Sequence, residues 1–265
     1  TLLLIPIVIC TRQKRARANF GRHFPNFVIL GVLGSVVAGV GLAWGQHLSL
    51  ASNASVIALV LPLLNALMAV VLLGERMNRL LWVSFGFAIV GVLIVSDANW
   101  HSVEMFRGKY LAGNALIFFG YCGSAFYNAF GKRLMREFTP PEVLLYAFLA
   151  AETALFCLTS IFEPLSWPQL ASLGPTVWLS LVTIAVVSQV GAMLLFLWTI
   201  KRIELSKAAL SNYLLPVFGV LLSTITLKEK VTWQMLAGGL LVFVGTYLAT
   251  TYEERKKKKV AKAVA

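Results

Sequence analysis

Between Phe24 and Gly74 the chain runs for 51 residues without a single Asp, Glu, Lys or Arg. Crossing a bilayer takes about 20 apolar residues, so this stretch holds two spans joined by a tight turn near Gln46 to Ser52. Further uncharged runs cover Leu80 to Ser96, Tyr110 to Gly131, Pro164 to Ile200, Ala208 to Leu227 and Val231 to Tyr252. Each supplies one span, with Pro164 to Pro175 left as a loop, and one more span, Pro141 to Phe162, is interrupted at its centre by Glu152. The pattern predicts eight full helices. With 13% of its residues charged, against about 25% in soluble domains, and a mean hydropathy of +0.80, the chain falls outside the soluble classes.

Thr1 to Cys10 is apolar for half a span and precedes a basic segment. A secretory signal has the opposite order, so this stretch reads as the end of a further, ninth helix. The eight spans divide the 23 Lys and Arg residues unevenly. Alternate segments collect nineteen of them on one side and only Arg107, Lys109, Lys228 and Lys230 on the other. Positive charge concentrates in cytoplasmic loops, which predicts a multi-pass protein of the cell membrane with a cytoplasmic C-terminus. The split also accounts for the net charge of +12 without nucleic acid. The basic tail containing Lys256 to Lys259 reads as a solvated end held near anionic lipid.

An internal repeat follows from a fixed offset. Pro62 and Pro216 stand 154 residues apart, and the same ungapped offset pairs Trp44 with Trp198, Ser52 with Ser206, Glu75 with Glu229 and Gly91 with Gly245. Coincident Leu means little in a membrane sequence, whereas coincident Trp, Pro and Glu do not arise cheaply. The unit contains five helices, and an odd number makes the second copy enter the membrane from the opposite side. Inverted repeats of this kind are characteristic of secondary transporters, whose substrate site lies near the midplane between the halves. The offset also assigns Thr1 to Cys10 to the second helix of the first repeat, so the whole arrangement would have ten helices.

The stretch Trp44 to Asp97, with Ser52-Asn53-Ala54-Ser55, Leu61-Pro62 and Gly74-Glu75-Arg76, resembles the EamA domain of the drug/metabolite transporter superfamily. Trp198 to Glu253, with Ser206-Lys207-Ala208-Ala209, Leu215-Pro216-Val217 and Lys228-Glu229-Lys230, is similar to a second copy. The resemblance implies an all-α integral membrane fold of two inverted five-helix repeats, with both termini cytoplasmic and transport of small metabolites such as amino acids. Residues 1–97 are then the first repeat, lacking its first helix and most of its second. Residues 98–109 form an external loop, 110–252 the second repeat, and 253–265 a basic cytoplasmic tail.

Several polar residues within spans are candidates for substrate binding or coupling. Glu152 is the one carboxylate well inside a predicted span, where a charge costs about 2.5–3.5 kcal/mol even on a lenient scale. It serves either as a proton-coupling or ammonium-binding group, or as a neutral side chain bonded to a neighbouring helix. Asn114, Tyr121 and Asn128 recur every seven residues, which keeps them on one helix face. That stripe lines the substrate path or bonds helices together. Pro62 and Pro216 would break their helices, and broken helices in corresponding positions point to a binding site. Asn65, Asn212 and Tyr213 lie beside them. Trp44 and Trp198 read as members of an interfacial belt, and Gly41-x-x-x-Gly45 as a site of close helix approach.

Cys10, Cys122 and Cys157 show no paired spacing, and His23, His47 and His101 form no ligand cluster. No phosphate loop, dinucleotide fingerprint or catalytic constellation occurs, so neither cofactor nor metal is expected. The leading expectation is a secondary transporter, an exporter of small metabolites such as amino acids or drug-like amines, working by alternating access. Its partners would be the substrate, membrane lipid and a proton as coupling ion, and it would act as a monomer or homodimer. A lipid-modifying membrane enzyme with Glu152 as general base lacks a visible second catalytic group. A structural or regulatory membrane subunit is the remaining alternative.

Overall fold

The computed structural model describes residues 1–11, 14–95, 108–162, 172–215, 217–218, 233 and 236–248. Pro216, Glu229, most of the predicted external loop 98–109 and the predicted tail 253–265 lie outside them. Every regular element among the described residues is helical, as the absence of water from a bilayer core demands of a spanning chain.

The order begins with α1 (Leu4–Thr11) and α2 (Lys14–Ile29), which continues through a π-helical stretch, Leu30–Val36, into α3 (Val37–His47). Next come α4 (Ala51–Ala58), α5 (Leu61–Leu73), α6 (Arg79–Val95), α7 (Gly108–Leu134) and α8 (Pro140–Phe162). A second composite helix joins α9 (Pro175–Thr183), the π-helical stretch Ile184–Ala192 and α10 (Met193–Arg202). It is followed by α11 (Leu205–Leu210), a 3₁₀ turn at Ser211–Tyr213, and α12 (Leu236–Leu248). The two π-helical stretches begin 154 residues apart, at the repeat offset.

Four described helical segments are long and apolar enough to cross a membrane: Phe20–His47, Asn53–Leu73, Pro140–Ile161 and Pro175–Arg202. The segment around Pro62 departs from an uninterrupted span. The chain turns at Leu59 and Val60, and Pro62 sits in the first turn of α5. A proline lacks the N–H that an interior position would need, but none is needed in a first helical turn.

At 27 residues, α7 is about 40 Å long. It is the central helix, packing against α3, α4, α5, α10 and α11. Its glycines explain how. A Cβ on Gly41 would come within 2.8 Å of the Leu116 carbonyl, and one on Gly45 within 2.6 Å of Ile117. On the facing helix, a Cβ on Gly113 would meet the Leu48 carbonyl at 2.7 Å and one on Gly120 the Leu42 nitrogen at 2.9 Å. The Gly41-x-x-x-Gly45 motif thus serves packing inside one chain. By contrast, Pro175–Ala192 buries no residue.

Other contacts join positions related by the same offset. A Cβ on Gly91 of α6 would meet Gly238 and Val242 of α12, while one on Gly245 of α12 would meet Ser84 and Ala88 of α6. Ser84 and Gly238, and likewise Ala88 and Val242, stand 154 apart, so each helix offers the other the same positions. Phe85, Ala88, Val92, Tyr213 and Val242 share one buried cluster here.

Candidate functional site

A cavity of about 410 Å³ opens between α3, α7, α8 and the Ile184–Arg202 stretch. Its polar lining comes from Ser35 and Gln189 on the two π-helical stretches, from Ser124, Tyr127 and Asn128 on α7, and from Asn212 on the 3₁₀ turn. Leu42, Phe148, Met193 and Phe196 supply apolar walls. No Asp, Glu, Lys, Arg or His is among the described residues that line it. π-Helical turns are frequent at functional sites because the wider turn displaces side chains from the regular helical register, and here both such stretches border the cavity.

The predicted candidates separate into groups. Asn128 lines the cavity, and its Nδ2 donates to Asn65 Oδ1 at 2.9 Å, so Asn65 stands directly behind it. Both residues are buried, and Asn65 Nδ2 has no partner among the described residues. The Tyr127 hydroxyl is likewise buried, with no partner among the described residues. Leaving a buried donor unpaired costs about 1–3 kcal/mol. Asn212 reaches the cavity, whereas the neighbouring Tyr213 turns into the α6–α12 cluster, edge-on to Phe85. The Tyr213 hydroxyl donates to the Leu59 carbonyl at 2.9 Å, joining the two places where helices are interrupted. Leu59 and Tyr213 are again 154 apart.

Asn114, at the far end of α7, accepts a hydrogen bond from Ser49 in the α3–α4 turn. Tyr121 packs against a small cluster of Ala54, Ile57 and Ile117. Neither lines the cavity. Glu152 does not line it either; its side chain is 56% exposed, and its carboxylate accepts from the Thr1 hydroxyl. Trp44 and Trp198 are both about half exposed on the outer surface, as members of an interfacial belt would be.

Two carboxylates not proposed as sites each accept several hydrogen bonds. Gly74, at φ +69°, ends α5 in the left-handed conformation that glycine adopts without a Cβ penalty. The Gly74 N–H bonds back to the Val70 carbonyl at 3.1 Å, the closure of an αL cap, and the Glu75 N–H to the Ala69 carbonyl at 3.1 Å. This fixes where the Glu75 carboxylate points. Oε1 accepts from Lys132 Nζ at 2.9 Å and from the Leu205 N–H at 2.8 Å. Oε2 accepts from the Ser206 N–H at 3.1 Å and its hydroxyl at 2.8 Å. Burial by itself would raise this carboxyl, but the Lys132 ammonium and the three bonds from Leu205 and Ser206 hold it below its ordinary value. The cluster ties the α5 terminus to α7 and α11 at the end of the bundle that carries Lys132, Arg136 and Lys201.

Glu142 is fully buried at the start of α8, where its Oε2 accepts from the Thr139 N–H and hydroxyl. This is the acidic half of a capping box, whose signature Thr139-x-x-Glu142 is present in the sequence.

The EamA-like transporter family model matches residues 1–97 and 111–251. An uncharacterized transporter of Archaeoglobus fulgidus is 25% identical over 94% of this chain and 83% of its own. A probable terminal-alkyne amino-acid exporter of Streptantibioticus cattleyicolor is 24% identical over 94% and 80%. A probable amino-acid metabolite efflux pump of Salmonella typhimurium is 26% identical over 66% and 59%. A solved protein crystal structure superposes with a TM-score of 0.71 over 90% of this chain and 83% of the other at 20% identity, which shows the fold. Such relatives point away from an enzyme and towards a multi-pass membrane protein that handles a small molecule. The chain belongs to the EamA-like transporter family.

Proposed function

We propose that this chain is a secondary transporter that exports small amino-acid-like metabolites by alternating access at the cavity between α3, α7, α8 and the Ile184–Arg202 stretch. The single observation that carries this reading is a cavity walled by both predicted halves and edged by a π-helical stretch from each. Support for inverted five-helix halves comes from the contacts at the 154 offset, the Tyr213–Leu59 bond and the reciprocal α6–α12 packing. The names of the relatives from Streptantibioticus cattleyicolor and Salmonella typhimurium support amino acids as cargo and export as direction. The end carrying Lys132, Arg136 and Lys201 is the cytoplasmic one in this reading, by the positive-inside rule.

Burying a net charge without a partner is costly, and no ionic side chain is among the described residues that line the cavity. The cargo is therefore neutral or zwitterionic, and simple cationic amines fit less well than the sequence alone allowed.

Reconstitution of the protein into proteoliposomes, with radiolabelled metabolites offered singly from a broad panel, tests the reading. Substrate-dependent flux is the expected result, and none across the panel overturns it. Since Glu152 does not line the cavity, Glu152→Gln is expected to keep flux within about twofold of wild type. A loss of flux together with substrate-linked proton movement would return the coupling role to Glu152.

A further inference from the structure

At the wall of the cavity the polar groups are not equivalent. The Asn65–Asn128 pair shares one hydrogen bond, from Asn128 Nδ2 to Asn65 Oδ1, and Asn65 Nδ2 remains unpaired among the described residues. Exchanging oxygen and nitrogen in both amides keeps one bond and moves the unpaired NH₂ to Asn128, which lines the cavity. Either way, one amide NH₂ of the pair is unspent. On the adjacent residue of α7, the buried Tyr127 hydroxyl is a second group with no partner among the described residues, on a cavity-lining residue that is 4% exposed. The amide NH₂ can only donate, and the phenol donates readily, so the complementary ligand atom is an oxygen acceptor. Leu42, Phe148, Met193 and Phe196 leave room for an apolar body.

We propose that Tyr127 and the Asn65–Asn128 amide pair form an oxygen-binding subsite for the carbonyl or carboxylate of an amphipathic substrate, whose apolar part packs on Phe148, Met193 and Phe196. This rests on the transport reading above and narrows it. With no cationic side chain among the described residues of the lining, a carboxylate enters as half of a zwitterion and a carbonyl enters uncharged. A site built to bond an oxygen rejects an analogue that lacks it more strongly than an apolar pocket rejects a lost methylene.

The test measures equilibrium binding to the purified protein in nanodiscs, with L-phenylalanine, neutral N-acetyl-L-phenylalaninamide and phenethylamine as probes. The first two carry the oxygen, and the third keeps only the ring and the amine. The oxygen-bearing probes are expected to bind at least tenfold more tightly than phenethylamine. Tyr127→Phe, which removes one oxygen and little volume, is expected to cut that preference about tenfold without changing phenethylamine binding. Asn128→Ala should do the same. An unchanged preference in both variants overturns the subsite and leaves bound water as the partner of these groups. An equal loss for all three probes also overturns it, since that is the mark of a distorted cavity. If no probe binds wild-type protein that still moves other metabolites in proteoliposomes, the amphipathic class is overturned while the transport reading stands. Absence of flux for every metabolite overturns the transport reading itself.

Discussion

Replacing Glu75 with alanine is expected to destabilise the folded protein by about 3 kcal/mol, and replacing it with glutamine by roughly half as much. The carboxylate side chain is 9% exposed and Lys132 18%, so alanine leaves a largely buried ammonium without its carboxylate. It also strips acceptors from the Leu205 and Ser206 N–H groups, which open α11 and have no partner within that helix. Glutamine keeps the shape and one acceptor oxygen but loses the charge. Lys132 retains its bond to the Ile203 carbonyl at 2.6 Å in either variant, which limits the loss. The measurement is thermal unfolding of purified protein in one detergent, with alanine expected to fall further than glutamine. Equal stability of alanine and wild type would show that the cluster contributes nothing net.

The same cluster sets a pH dependence. The folded carboxyl titrates below its ordinary value of 4.5 because Lys132, Leu205 and Ser206 favour the charged form. Its contribution is complete above about pH 5 and is lost as the pH falls through the lowered folded value, because the unfolded chain takes up the proton first. Wild type should therefore lose more stability than Glu75→Gln on acidification below about pH 5, so the two converge. A gap that stays constant would assign the stabilisation to shape alone.

What could be read from the sequence was whatever the membrane imposes locally. Uncharged runs locate helices because a bilayer leaves no other way to satisfy the backbone, and the turn between His47 and Ala51 falls within the predicted Gln46 to Ser52. The seven-residue spacing of Asn114, Tyr121 and Asn128 correctly places them along one helix. Yet Asn114 and Asn128 are about 21 Å apart at 1.5 Å per residue, so one reaches the Ser49 turn and the other the cavity. Neither π-helical stretch has a sequence signature, and the turn at Leu59 and Val60 precedes Pro62 rather than coinciding with it. The role of Glu75 was hidden because its partners lie 57 to 131 residues away, although its pairing with Glu229 in the repeat already marked the position. Thr139-x-x-Glu142 was a local signal that the sequence expectations did not include.

The largest effect is expected where two helices approach most closely. Gly45→Val should abolish the folded state or cost well over 3 kcal/mol, because overpacking that only side chains must absorb already costs about 1–3 kcal/mol. The Cβ alone would lie 2.6 Å from Ile117 Cγ1, 2.8 Å from the Ile117 nitrogen and 2.9 Å from the Gly113 carbonyl. The Ile117 side chain could rotate away, but the backbone atoms could not, so α3 and α7 would have to separate. Separation along that seam also breaks the facing contacts of Gly41, Gly113 and Gly120, since all belong to the same interface. Small-residue seams of this kind hold membrane helices together through close packing, because lipid offers no hydrophobic penalty for pulling them apart. Gly86→Ala is the matched control: it lies within α6, and an added Cβ there meets nothing within 4 Å. That variant should equal or slightly exceed wild type, since alanine is the better helix former by about 1 kcal/mol. Yield of monodisperse protein after detergent extraction, followed by thermal unfolding, distinguishes the two. If Gly45→Val behaves like Gly86→Ala, the α3–α7 seam is looser than the contacts require, and the cavity beside it would not have a rigid wall.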